Sequence, residues 1–307
     1  MYARSRLIFY IEIINGHFNM KQNLNQIEKD FVEFMSGKKK RHYEVMEKLY
    51  LRTREEFKFQ GPKYEKLSGI IIRLLRMMYD ITDEHSAVEA YQAFAYLHLL
   101  RYLTYSYPKA KSDYLYETYK LIKKGRFKDI FIFSKRKVAG RFKPQKAEIA
   151  YSPQNLARSL IGKIESPPVV VDYGCGLGYI SMEIAKLNEK AKIFLLDIEG
   201  LVLEFAGFRF KKHGINVEFI PVSKSNPYPK LPRHNICLAT EVMEHVCQPL
   251  KAYRNIHDAM ESGGILYGNF EDHEKGIFHV SPLLKDLREK IVRDFQPVGL
   301  RCYKKIK

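Results

Sequence analysis

The apolar residues of this chain fall into two rhythms, and the change between them divides it. From Met20 to about Tyr107 they recur every three and four positions, the spacing of one buried helix face. In "DEHSAVEAYQAFAYLHLLRYL" they are Val88, Tyr91, Phe94 and Ala95, then His98, Leu99 and Tyr102. Acids and Ser86 stand at the start of that stretch, where a helix N-terminus favours them. "KLSGIIIRLLRMMYDI" reads the same way, with its arginines on the opposite side. From Tyr151 the pattern becomes short continuous apolar runs separated by helix-period segments.

Those runs predict a sequence of elements. A helix "YSPQNLARSLIGKI" carries Ser152 as its cap and Pro153 at its first position. The strand "PPVVVDYG" follows, apolar on both faces, then the helix "YISMEIAKLNEK" and the strand "AKIFLLDI". A helix "GLVLEFAGFRFKKHG" stops at Gly214 before a third strand, "NVEFIPV", and "HNICLAT" is the fourth. The next helix is expected to run from Pro249 to a stop at Gly263-Gly264, leaving "ILYGNF" as the fifth strand. After the helix "PLLKDLREKIVRDF", one last strand, "PVGLRCYKKI", is expected. Strands alternating with helices of this length imply an α/β domain, a doubly wound and mainly parallel sheet covered on both faces. Three regions result: 1–19, an upstream extension or loosely held segment; 20–147, a mainly α-helical N-terminal domain; and 148–307, the sheet domain.

Charge sharpens the division. The net +17 is uneven: residues 1–150 hold 30 Lys and Arg against 17 Asp and Glu, and the remaining residues 22 against 18. Eleven basic residues and a single acid, Asp129, crowd into 120–146, interleaved with Phe127, Phe131, Phe133 and Phe142. Such a stretch is either a polyanion-binding surface or a solvated basic face over core phenylalanines. Cys175, Cys237, Cys247 and Cys302 form no C-x-x-C pair, which fits a reducing, cytoplasmic setting. Arg73, Arg76 and Arg101 break the longest apolar runs, so no membrane span is expected, and Glu12 interrupts the N-terminal run before any cleavage site. Nothing in the sequence speaks to oligomeric state.

The first strand ends at Asp172 and runs into Gly174-Cys175-Gly176-Leu177-Gly178. Glycines let a backbone turn tightly and approach a ligand, and the following helix N-terminus lends partial positive charge. A dinucleotide loop would read G-x-G-x-x-G, but Tyr179 stands in place of the third glycine. An acid at the strand tip suits a ligand with an ammonium and a sulfonium better than a pyrophosphate. Asp197 ends the second strand, where a carboxylate can accept from both hydroxyls of a ribose.

These residues resemble the class I S-adenosylmethionine-dependent methyltransferases over roughly 150–307. The resemblance implies a Rossmann-like fold with S-adenosyl-L-methionine as cofactor. Its methionine part would meet Asp172 and the Gly174, Cys175, Gly176 and Gly178 loop, and its ribose Asp197 and the adjoining Ile198. The acid that many members place after the third strand is missing from "VEFIPVSKSN", so Ser223 or a backbone group would serve the adenine. The family also usually closes its sheet with an antiparallel hairpin.

After the fourth strand, "TEVMEHVCQP" holds Glu241, Glu244 and His245. If the stretch turns as a helix, these sit at i, i+3 and i+4 and share one face. Such a face can bind a divalent cation (Mg2+ or Mn2+), hold a general base, or carry only a Glu–His surface pair. The E-x-x-E-H pattern resembles the ubiquinone-biosynthesis O-methyltransferases, and also the small-RNA 3′-terminal 2′-O-methyltransferases, where a later histidine completes a metal site. Here that histidine would be His273 or His279, and Glu241 would also border the cofactor. Three readings follow: a methyltransferase for a small or medium-sized, anionic acceptor with the helical half as lid; an RNA methyltransferase using 120–146; and a non-catalytic partner subunit of the same fold. An oxygen acceptor has the greatest need of a base or a metal, which favours O-methylation.

Overall fold

A computed structural model describes residues 29–31, 33–34, 78–80, 82–92, 95, 153–272, 279–281 and 283–306. The segment 1–19, the basic stretch 120–146, Ser152 and His273 lie outside the described residues, as does most of the expected helical domain.

Among the described residues, seven strands form a single sheet in the order β3-β2-β1-β4-β5-β7-β6. The strands are β1 (Val169–Tyr173), β2 (Lys192–Ile198), β3 (Glu218–Val222), β4 (His234–Ala239), β5 (Met260–Gly268), β6 (Phe295–Gly299) and β7 (Cys302–Lys305). The helices described within the sheet domain are α1 (Pro153–Ile161), α2 (Tyr179–Leu187), α3 (Leu201–Lys212), α4 (Pro249–Ala259) and α5 (Lys285–Asp294). The first five strands pair in parallel, and β7 runs antiparallel to both β5 and β6. A parallel sheet must be covered on both faces, and the alternation of side chains along β1 shows how. Val170 faces a cluster with Ala157 and Leu160 of α1, Met182 and Ile184 of α2, and Ala206 and Phe210 of α3. Val171 and Tyr173 face the other side, with Ala252 and Ile256 of α4 and Leu287 and Ile291 of α5. Val88, from the helical residues 84–92, joins this second cluster, so part of the N-terminal half packs on the sheet domain.

Two expected boundaries differ. The helix after Pro249 ends at Ala259, and Gly263 and Gly264 lie inside β5. At Gly264 a side chain would press on Met260 Cγ at 2.7 Å and on the Glu261 carbonyl at 2.9 Å, so here glycine serves close packing within a strand. The expected last strand is in fact the hairpin β6–β7, reversed around Leu300 and Arg301, with Arg301 at φ +52°. That tight reversal, made without Gly-Asn or Asn-Gly at its centre, left no turn signal to read. Among the described residues no helix is long and apolar enough to cross a membrane.

In this order the chain leaves β1 towards β2 and β3, then returns past β1 to β4 and β5. The carboxyl ends of β1 and β4 therefore sit side by side at the point where strand order reverses, where α/β sheets open a crevice.

Candidate active site

Asp172 is the fourth residue of β1, and its side chain turns inward. It is 6% exposed, and Ser181 Oγ, from the first turn of α2, donates to its carboxylate. Burial pushes its pKa up to about 7, against the lowering effect of the Ser181 bond, with the Asp197 charge adding to the rise. The chain then makes a loop that only glycine can hold: Gly174 has φ +68° and Gly178 φ +63°. At Gly178 a Cβ would stand 2.6 Å from Phe210 Cε2 of α3, and at Gly174 it would overlap the Val242 side chain. The loop after β1 is thus pressed between α3 and the loop after β4.

Asp197, near the end of β2, closes the loop from the other side. Its Oδ2 accepts from the Gly176 N–H at 2.7 Å and its Oδ1 from the Ile198 N–H at 2.8 Å. Burial raises its pKa, and these two bonds oppose the rise. Each carboxylate oxygen has a second lone pair, so the group that orders the loop can also accept from a ribose hydroxyl. The buried Cys175 sits within the loop, its N–H donating to the Leu196 carbonyl at 2.9 Å. Ser223, after β3, uses its hydroxyl in a local turn with Ser225 Oγ at 3.0 Å and the Asn226 N–H at 3.2 Å.

The loop after β4 departs from the expected helical face. Met243–His245 is one 3-10 turn, and Glu241 lies before it with φ +51°, a left-handed conformation that a non-glycine side chain adopts at a cost. Asn269 holds Glu241 there. The Glu241 N–H donates to Asn269 Oδ1 at 2.7 Å, and Asn269 Nδ2 donates back to Glu241 Oε1. Glu244 is fully buried, and its carboxyl titrates well above the ordinary range, first through burial and then through the neighbouring Glu241 charge. Its Oε1 lies 4.0 Å from His245 Nε2. The rings of His245 and His279 meet edge to face with centroids 4.8 Å apart. One ligand atom from each of Glu244, His245 and His279 lies within 4.8 Å of the others, a group that could hold a metal ion. Glu241 stands outside that group. The two expected carboxylates therefore part: Glu244 lies with the histidines, and the exposed Glu241 is held by the buried Asn269.

Residues 164–298 match a family model described as a methyltransferase domain. This part of the chain matches a methyltransferase domain and has the Rossmann-like methyltransferase fold. Solved structures similar to it include an rRNA methylase from Streptococcus thermophilus (21% identity, 51% of this chain and 98% of that one, TM-score 0.36). Coclaurine N-methyltransferase bound to N-methylheliamine and SAH is another (18%, 41% and 36%, TM-score 0.34). The [4+2]-cyclase SpnF is a third (22%, 42% and 46%, TM-score 0.33). The chain spans less than half the length of the latter two. No curated protein matches it.

Two contributors to the candidate site escaped the sequence reading. Asn269 directly follows the buried strand β5, a polar residue at the same sheet edge, and only the fold reveals its partner 28 positions earlier. The second contributor is the helix at 84–92, which lies across the loops after β2, β3 and β4. Gln92 Nε2 donates to Glu199 Oε1 at 3.2 Å, Glu89 pairs with Lys224 Nζ at 2.7 Å, and Glu84 accepts from Gln248 Nε2 at 2.7 Å. The Tyr91 ring meets the edge of His245 with centroids 5.8 Å apart. Its apolar period was legible, but its target was not.

Proposed function

We propose that the protein methylates an oxygen of a small or medium-sized acceptor by in-line transfer from S-adenosylmethionine. The observation that carries this reading is the meeting of two unlike edges: the glycine loop after β1 abuts Val242, one residue from Glu241 and two from Glu244. A cradle that a Cβ would fill, flanked by Asp197, fits the methionine and ribose parts of the cofactor. The sulfonium supplies a methyl group already primed to leave. What the protein has to do is align the acceptor and accept its proton.

Glu244, His245 and His279 would hold a divalent cation, and two imidazoles with one carboxylate suit manganese better than magnesium, which prefers oxygen donors. Such a cation lowers the pKa of an acceptor hydroxyl. With those three side chains engaged, Glu241 is the carboxylate left to take the acceptor's proton, and Asn269 fixes where it stands. Without a cation, His245 Nε2 takes that proton. Tyr91 and the helix at 84–92 form the acceptor-side wall.

RNA is the second acceptor class, favoured by the eleven basic residues of 120–146. One experiment tests both. The purified chain is incubated with methyl-labelled cofactor and desalted cell extract, with manganese or with chelator, and label is counted in nuclease-sensitive and small-molecule fractions. Label in small molecules supports the leading reading, and label lost to nuclease overturns it in favour of RNA. No label in any fraction leaves a cofactor-fold subunit without transfer activity. Activity unchanged by chelator removes the cation and leaves His245 as base.

A further inference from the structure

Beneath the exit of the glycine loop, α3 buries a cation. Arg209 is 4% exposed, and its Nη1 donates to the carbonyl of Leu177, the loop residue between Gly176 and Gly178. The guanidinium lies over the Tyr179 ring at 5.1 Å, and its Nη2 reaches Met182 Sδ at 3.8 Å. The next residue, Phe210, is fully buried against Gly178. Two consecutive residues of α3 thus seat the last turn of the loop, one by packing and one by a charged hydrogen bond. A buried carbonyl that loses such a donor keeps its desolvation cost, and the peptide turns to find another partner. The same peptide carries the Gly178 N–H, which donates to the Cys175 carbonyl at 2.8 Å, so that turn would deform the loop itself.

The same helix is gripped from the N-terminal half. Three and four residues beyond Arg209, Lys212 Nζ lies 3.0 Å and His213 Nε2 3.9 Å from the carboxylate of Asp30, which is 1% exposed. Phe31 and Phe34 set their rings on Phe205 at 5.5 and 5.2 Å, and Phe34 also meets Phe208 at 5.5 Å. Asp30 is also near enough to Arg209 to favour its charged form. We infer that Arg209 is the positioning residue of the cofactor loop, and that the segment around Asp30 sets cofactor affinity through α3 and Arg209. The N-terminal half then acts on the cofactor from below the loop as well as on the acceptor side. This rests on the reading of the loop as the cofactor's cradle.

The test is calorimetric binding of S-adenosylhomocysteine to the full chain and four variants, each with its melting temperature. Arg209→Met should weaken binding about tenfold, the size of one lost charge-assisted hydrogen bond. Arg209→Lys keeps the charge without the planar fork and should recover part of that, to about threefold weaker than the parent. Asp30→Asn should weaken binding about threefold, through α3 and Arg209. Ile256→Val, on the opposite face of the sheet, lowers the melting temperature and should leave binding unchanged. If the parent fails to bind, the cradle reading falls and the inference with it. If the parent binds and the Arg209 and Asp30 variants match it, or weaken only in step with Ile256→Val, the inference alone is overturned. Should Arg209→Met not fold, Arg209→Lys and Asp30→Asn carry the same decision.

Discussion

The two edges that meet at the strand reversal use acids in opposite ways. At the ends of β1 and β2, Asp172 accepts from the Ser181 hydroxyl and Asp197 from the Gly176 and Ile198 N–H groups, so both acids brace the loop between them. At the end of β4, Glu241 is exposed and held in a left-handed conformation, while Glu244 is buried beside two histidines. The first edge spends charge on shape. The second keeps charge and strain at the place where an acceptor would react, which is where strained backbone tends to persist. A methyltransferase needs this division, because its cofactor brings the reactive group and only the acceptor's proton has to be managed.

The sharpest way to break the comparison is at their contact. Gly174→Val combines φ +68° with a clash against Val242 and should weaken S-adenosylhomocysteine binding by at least about a hundredfold. Binding within tenfold of the parent would show that the loop does not form the cradle. Next in size are His245→Ala and Glu244→Gln. Each should lower turnover by about 10²–10³ while leaving cofactor affinity within twofold, since both belong to the second edge. A matching loss of cofactor binding would merge the two edges into one site and remove the division argued above.

The first edge was far more legible in the sequence than the second, for a physical reason. Asp172, the alternate glycines and Asp197 lie within 26 residues, each at a strand end that local apolar pattern defines. Spacing alone therefore carried the parallel sheet and the glycine loop that follows its first strand. The second edge is assembled from Glu241–His245, Asn269, His279 and Tyr91, brought together only by the crossing of β4, β5 and the N-terminal helix. The E-x-x-E-H spacing assumed a helix, but the turn at Met243–His245 is too short for that face. The hairpin β6–β7 was hidden for a related reason, since Leu300-Arg301 gives a reversal without a glycine at its centre.

Asp172 offers a third, smaller test, of whether an acid turned inward is a structural cost. Its pKa rises from about 4 unfolded to about 7 folded, so the protonated acid is the form the fold prefers. The stability this gives is fully present below the unfolded value and is lost as pH rises through about 7. Asp172→Asn cannot ionise. In urea unfolding without ligand, its stability relative to the parent should therefore rise between pH 4 and pH 8, by about 4 kcal/mol at most. A constant difference over that range would mean that the carboxylate stays charged, stabilised by more than Ser181.

Asn269 gives the smallest effect and bears most directly on the second edge. Its carboxamide is 2% exposed and engages both the backbone and the carboxylate of Glu241, so it is the brace that keeps a non-glycine residue at φ +51°. Removing the brace leaves Glu241 in place chemically but lets its backbone relax to an ordinary conformation. Asn269→Ala should therefore lower turnover about tenfold, the lower end of what one hydrogen bond to a charged group is worth, with cofactor affinity unchanged. Asn269→Asp keeps the shape but sets a second negative charge against Glu241, and should be worse than alanine. If alanine and aspartate cost the same, the amide merely fills space. If neither changes turnover, Glu241 does not take the acceptor's proton, and that role passes to His245.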